Sequence, residues 1–196
     1  MQTLKPEVRQ RILQAATQEF LEKGYQGASM RGIAQRSGVT TGNIYRYYDH
    51  KAQLLDAILL PCWEKVADLI ESFARDYTPG LQPEDQLIRT ISGVLGSVCR
   101  AYRVEFRLLL NCCQGSKYEC AREELQRRIS QRVLQEMGPG EGNDLLAEMV
   151  GLSLVDCLCL ILQHCETDMD QAEHLMHRMV KFLLQDFTRR MDLAER

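Results

Sequence analysis

Apolar positions recur along nearly the whole chain at spacings of three and four, the period of a helix that buries one face. Val8, Ile12, Ala16 and Phe20 fall four apart behind Pro6, a residue suited to a first helical turn, and Gly24 ends the pattern. Ser29 is placed to cap a short second helix, Met30 to Arg36, with Met30, Ile33 and Ala34 inward; Ser37-Gly38-Val39 then makes a tight turn. Thr40 can cap a third helix of about two turns that carries Ile44 and Tyr48 on its inner face. Past Asp49 a long amphipathic helix starts near His50, with a stripe at Leu55, Ile58, Cys62, Val66, Leu69 and Phe73. Pro61 is placed to kink it, and Thr78-Pro79-Gly80 closes it.

Helical patterns continue from Pro83 to Ala101 and from Tyr102 to Cys113, and Gly115 separates them from a stripe at Tyr118, Ala121, Leu125, Ile129 and Val133. The run Gly138-Pro139-Gly140-Glu141-Gly142 is the clearest break. Two strongly apolar helices follow, Asn143 to Cys165 and Asp168 to Met191, with Asn143 and Asp168 as N-caps. Nothing alternates with period two long enough to make a strand. The pattern predicts an all-α chain of about nine helices: a three-helix domain over residues 1–51 and a helical bundle over 52–196.

Composition changes this picture little. With 45% hydrophobic content over 196 residues the chain can bury a real core. No segment reaches the uninterrupted apolar length of a membrane span, and Met1 to Pro6 holds no apolar run behind a basic stretch, so a soluble, cytoplasmic protein is expected. Eight cysteines on helical segments, without a secretion signal, point to reduced thiols.

Charge changes it more. The net −3 hides an asymmetry: residues 1–51 carry eight Lys/Arg against four acids, a net +4, and the remainder carries sixteen against twenty-three, a net −7. A basic head on an acidic body is expected where only the head meets a polyanion. Ser29–Arg36 and Thr40–Tyr47, joined by a glycine turn, make a helix-turn-helix, whose second element enters the major groove of DNA. The recognition segment Thr40-Thr41-Gly42-Asn43-Ile44-Tyr45-Arg46-Tyr47-Tyr48 offers hydroxyls, an amide and phenols for base edges or phosphates.

The motifs A-x-x-x-F-x-E-K-G-Y-x-G-A-S-M-R-G-I-A at 16–34 and S-G-V-T-T-G-N-I-Y-R-Y-Y-D-H-K-A-Q-L-L at 37–55 resemble the DNA-binding domain of TetR-type transcription regulators, without a gap over roughly a quarter of the chain. The resemblance implies base-edge contacts at Thr41, Gly42 and Asn43 and phosphate contacts at Arg31, Tyr45, Tyr47 and Lys51. Lys51 sits near the start of helix four, where a cation and free N–H groups both suit a phosphate. Tyr48 shares a face with Ile44 and reads as core, whereas Arg36 reads equally as a surface charge or a phosphate contact. The resemblance further implies a regulator, most often a repressor, that binds a palindromic double-stranded DNA operator as a homodimer and answers to a small-molecule effector.

For the body, the resemblance implies a pocket between helices four and eight that Trp63, Phe73, Tyr102, Phe106 and Tyr118 could line; they serve equally as core aromatics. Asp156 interrupts the apolar run Val150 to Leu160 and needs a partner: a dimer contact, solvent at a helix edge, or a cationic ligand. Met149, Leu152, Ser153, Asp156 and Leu160, with Leu175, Met179, Phe182 and Leu183, give apolar faces for a four-helix dimer interface, or equally for burial within one subunit. The cysteines and His164, His174 and His177 raise a competing reading as a small thiol- or metal-dependent protein. Their spacings form no credible ligand set and no catalytic constellation, so no metal, cofactor or enzymatic activity is expected. A thiol sensor, if present, falls at Cys112, Cys113 and Cys120, which flank the Gly115 turn.

Overall fold

The computed structural model describes residues 5–76, 84–165 and 168–185, and every regular element among them is a helix. In chain order these are α1 (Pro6–Gly27), α2 (Met30–Ser37), α3 (Thr41–Ile44), α4 (Lys51–Asp76), α5 (Glu84–Ala101), α6 (Arg103–Asn111), α7 (Ala121–Met137), α8 (Asn143–His164) and α9 (Met169–Leu184). The all-α reading holds. The expected linker at Thr78-Pro79-Gly80, and an end of the last helix at Met191, lie outside the described residues.

Contacts divide the chain into two compact units: residues up to Glu64 with Val104–Ala121, and Lys65–Arg103 with the chain from Arg122 on. In the first unit Ile12, Ala16 and Phe20 of α1, Ile33 of α2, Ile44 of α3, Leu54 and Leu59 of α4 and Leu108 of α6 are fully buried. Such side chains contribute about 1.5–3 kcal/mol each when removed from water, so this small head is held chiefly by one shared core.

Gly24 ends the regular part of α1, as its sequence position suggests. It adopts φ +67°, and the next N–H, that of Tyr25, donates to the Cys112 carbonyl at 2.8 Å instead of to its own helix. A residue with a side chain would be strained at that φ. α3 is shorter than two turns. After Ile44 the chain tightens, with Arg46 N–H on the Asn43 carbonyl and Tyr47 N–H on the Ile44 carbonyl, the three-residue bonding of a 3₁₀ turn.

In the second unit α5 packs along α9, burying Ile88, Val98 and Cys99 together with Ala172, Met176 and Val180. Gly96 lies at this contact, where a Cβ would come within 3.0 Å of Glu173 Cγ. A tighter limit holds for α8 on α7: a Cβ at Gly151 would meet the Gln126 carbonyl at 2.7 Å. Asp168 caps α9 as expected, accepting from Gln171 N–H at 2.8 Å. Asn143 does not cap α8. It is the first helical residue, its Nδ2 donates back to the Gly138 carbonyl at 3.1 Å, and Gly142 takes the cap position with φ +78°.

Among the described helices α8 is the one long and apolar enough to compare with a membrane span, although Glu148 and Asp156 interrupt it. By length and composition alone it could cross one, its most apolar 18 residues having a mean hydropathy of 2.2. Its apolar residues occupy both faces. Val150, Val155, Leu158 and Leu162 are buried in the unit, whereas Leu145, Met149, Leu152 and Leu160 are exposed.

Candidate nucleic-acid interface

One side-chain cap sets the start of each helix of the motif. The Ser29 hydroxyl accepts from Gly32 N–H at 3.0 Å and the Thr40 hydroxyl accepts from Asn43 N–H at 3.2 Å, each satisfying a donor that a helix leaves unpaired. Between them Gly38 takes the left-handed conformation, φ +67°, and sends the chain from α2 into α3. Ile44 and Tyr48 face the core, as the pattern required. The outer face is left with Gly42, Tyr45 and Arg46 exposed and Thr41 and Asn43 half-exposed, and Arg31 is exposed on α2. Glycine at position 42 has no internal reason: its φ is ordinary and a Cβ would meet nothing within 4 Å.

A buried carboxylate, which the sequence pattern did not single out, orients α2. Glu19 of α1 is 1% exposed and accepts from Lys23 Nζ at 2.7 Å and Arg36 Nε at 3.2 Å. Burial works against its charge, but the hydrogen bonds from Lys23 and Arg36 outweigh that and hold the carboxyl below its ordinary range. Arg36 is shared with Glu22, to which Nη1 donates at 3.0 Å. Gly32 fits over this pair, because a Cβ at that position would lie 2.2 Å from Glu19 Oε1. The signal for Glu19 was present, since it falls three residues after Ala16 on the face that buries Ile12, Ala15 and Phe20.

Lys51 turns inward. Its ammonium donates to the carbonyls of Tyr25, Gln26 and Ala28 at 2.7, 3.2 and 3.2 Å and lies 4.5 Å from the Tyr25 ring centroid. A lysine has three N–H donors, and all three are engaged where α1 leaves its last carbonyls unpaired. The start of α4 is closed by its own cap: Gln53 N–H donates to His50 Nδ1 at 3.1 Å while Gln53 Oε1 accepts from Asp49 N–H at 2.7 Å. Tyr47 is tied at its hydroxyl, which accepts from the Lys5 backbone N–H at 3.0 Å.

The residues expected at a ligand pocket are not gathered into one unit. Trp63, Phe106 and Tyr118 belong to the first, with Phe106 and Tyr118 buried; Tyr102 and Asp156 belong to the second, half-buried; the side chain of Phe73 lies outside the described residues. Asp156 has found its partners on α7 of its own unit, where its Oδ1 accepts from Arg122 Nη2 at 2.8 Å and Gln126 Nε2 at 3.0 Å. All eight cysteines are free thiols. Burial pushes Cys62 and Cys113 up to about 12, and raises Cys112 and Cys159 as well, which suits packing better than reactivity. Among the described residues no group of three or more His, Cys, Asp or Glu is placed to hold a metal.

Residues 12–58 match the family model described as bacterial regulatory proteins, tetR family. The HTH-type transcriptional repressor Rv3405c of Mycobacterium tuberculosis is 42% identical over 74 residues, 38% of this chain and 39% of that protein. The uncharacterized HTH-type transcriptional regulator TtgW of Pseudomonas putida is 30% identical over 104 residues, 53% of this chain and 72% of that protein. The match thus spans about two fifths of the first relative and more than two thirds of the second. A TetR-like transcriptional regulator from Rhodococcus sp. RHA1 shares the fold, with a TM-score of 0.62 at 21% identity over 94% of this chain and 100% of that one.

Proposed function

The chain belongs to the TetR family of bacterial regulatory proteins, and on that premise we propose that it is a cytoplasmic transcription repressor, binding operator DNA as a twofold dimer and released by a small-molecule effector. The observation that carries this reading is the surface of α3. Thr41, Gly42 and Asn43 lie at the start of a helix capped by Thr40, within residues 1–51 of net charge +4, and Gly42 is a glycine that the protein's own packing does not require. Close approach to base edges gives that glycine a reason, and Thr41 and Asn43 supply the hydrogen-bonding groups beside it. Arg31 and Tyr45, both exposed, flank them for phosphate contact. Because the Lys51 ammonium is engaged and His50 takes Gln53 N–H, phosphate contact at the start of α4 falls to the backbone N–H groups that precede Gln53. Release follows from linkage: an effector that binds better to a form with misplaced heads must weaken operator binding by the same factor.

A gel shift with the DNA upstream of the protein's own gene tests the reading. Wild-type protein should retard it, and Asn43→Ala should weaken binding by about 1–3 kcal/mol per half-site contact while relaxing preference at particular base pairs. A wild-type protein that retards no upstream fragment would remove the reading.

A further inference from the structure

We propose that Tyr47 is a positioning residue that places Lys5 at the DNA-facing side of the head, so that Lys5 is a phosphate-binding cation of the interface. The inference rests on the DNA-binding reading above and adds a contact to it. Lys5 immediately precedes Pro6, in extended backbone with φ −83° and ψ 124°, and makes no side-chain cap on α1. Its carbonyl is bound into the first turn of α1, and its N–H is bound by a phenol 42 positions further along the chain. Lys5 N–H donates to Tyr47 Oη at 3.0 Å, and Tyr47 Oη in turn reaches the Lys5 carbonyl at 3.5 Å. The Lys5 carbonyl also accepts from Val8 and Arg9 N–H at 3.1 Å, as the first acceptor of α1, so the bond to the phenol hydroxyl rests on the N–H of this exposed residue. That hydroxyl belongs to the turn that continues the recognition helix, between the exposed Arg46 and the buried Tyr48.

The placement has an electrostatic consequence. A lysine whose backbone N–H is bonded to the recognition turn has its charge tethered near that turn instead of free to range around the head. Lys5 is exposed, and Arg9, exposed too, lies one helical turn beyond it. The nearby acid, Glu7, lies four residues before Arg11, so the geometry of α1 sets that carboxylate on a different strip from the Lys5–Arg9 pair. The cations left for a polyanion therefore include this strip, whereas Arg36 is engaged by Glu19 and Glu22 and Lys51 by three carbonyls.

The salt dependence of operator binding separates placement from direct contact. A cation that neutralises a phosphate contributes about 0.9 to the slope of log affinity against log salt, whereas a neutral phenol donating to phosphate contributes affinity without that slope. Operator binding by the full chain is to be measured across salt concentrations for wild type, Lys5→Gln, Tyr47→Phe and their double variant, with Arg11→Gln as a charge-matched control. Lys5→Gln should lower the slope by about 0.9 per subunit; Tyr47→Phe should lower it in the same direction, and the double variant by no more than Lys5→Gln alone. Arg11→Gln should leave it unchanged. Tyr47→Phe keeps the ring and removes only the hydroxyl, and a thermal melt confirms that each variant is folded. An unchanged slope for Lys5→Gln overturns the proposal. So does a Tyr47→Phe variant that loses affinity at an unchanged slope, because the phenol would then be the contact itself. A wild type that binds no DNA would instead sink the functional reading on which this one stands.

Discussion

A single lysine shows how far packing, more than place in the sequence, decides what a side chain touches. Lys51 opens α4, where a cation suits a phosphate, yet its ammonium faces the end of α1 and takes three carbonyls that the helix break at Gly24 leaves in need of donors. The nearby Tyr25 ring adds a cation–π contact. Replacing Lys51 with methionine keeps the aliphatic stem and removes all three donors. Hydrogen bonds from a charged group contribute about 1.5–3 kcal/mol net, and the site is half-buried, so Lys51→Met should destabilise the protein by about 1–3 kcal/mol, seen as a fall in melting temperature. The salt slope of DNA binding should stay as it was. A slope lowered by about one unit per subunit with stability unchanged would return the ammonium to the phosphate.

At the scale of elements, α2 is aimed from beneath by Glu19, and this tie responds to pH. The carboxyl is held below its ordinary range in the folded head, so its contribution is fully present above the unfolded value near 4.3 and is lost as pH falls through the lower folded value. Glu19→Gln should therefore be less stable than wild type by about 1–3 kcal/mol at neutral pH, and the difference should shrink towards about pH 3. Urea unfolding at both pH values reads this directly; a difference that stays constant would mean that charge plays no part in the tie. The same elements show what was legible in the sequence. Helix positions followed from spacing, and Ser29, Gly38, Thr40 and Asp168 announced their local roles because caps and left-handed turns depend on a few neighbouring residues. The tie of Glu19 to Arg36 and the internal bonds of Lys51 and the Tyr47 hydroxyl were not legible, because those partners lie 17 to 42 positions away and only the packed fold brings them together. Asn143 was misread as a cap because Gly142 precedes it with a backbone that few other residues adopt.

For the molecule as a whole, the question is what covers the apolar side that α8 and α9 leave open. Met149 is 54% exposed, Leu160 52% and Phe182 79%, on helices whose opposite faces are already buried in the same unit. A second copy of the chain, meeting the same surface about a twofold axis, would bury it and would set two recognition helices on one palindrome. Because Leu152 and Phe182 are exposed in the single chain, charges placed there disturb no packing within it. Leu152→Asp combined with Phe182→Asp should therefore leave a folded protein, while like charges gathered on the twofold axis would lack partners and prevent association. Light scattering should report a monomer with a helical spectrum like wild type. Operator binding should weaken, and its salt slope should fall to about half, because one head rather than two then releases counterions. A folded double variant that remains dimeric would place the subunit interface on another surface, and a monomer that keeps the full slope would mean that dimerisation does not set the number of heads on the operator.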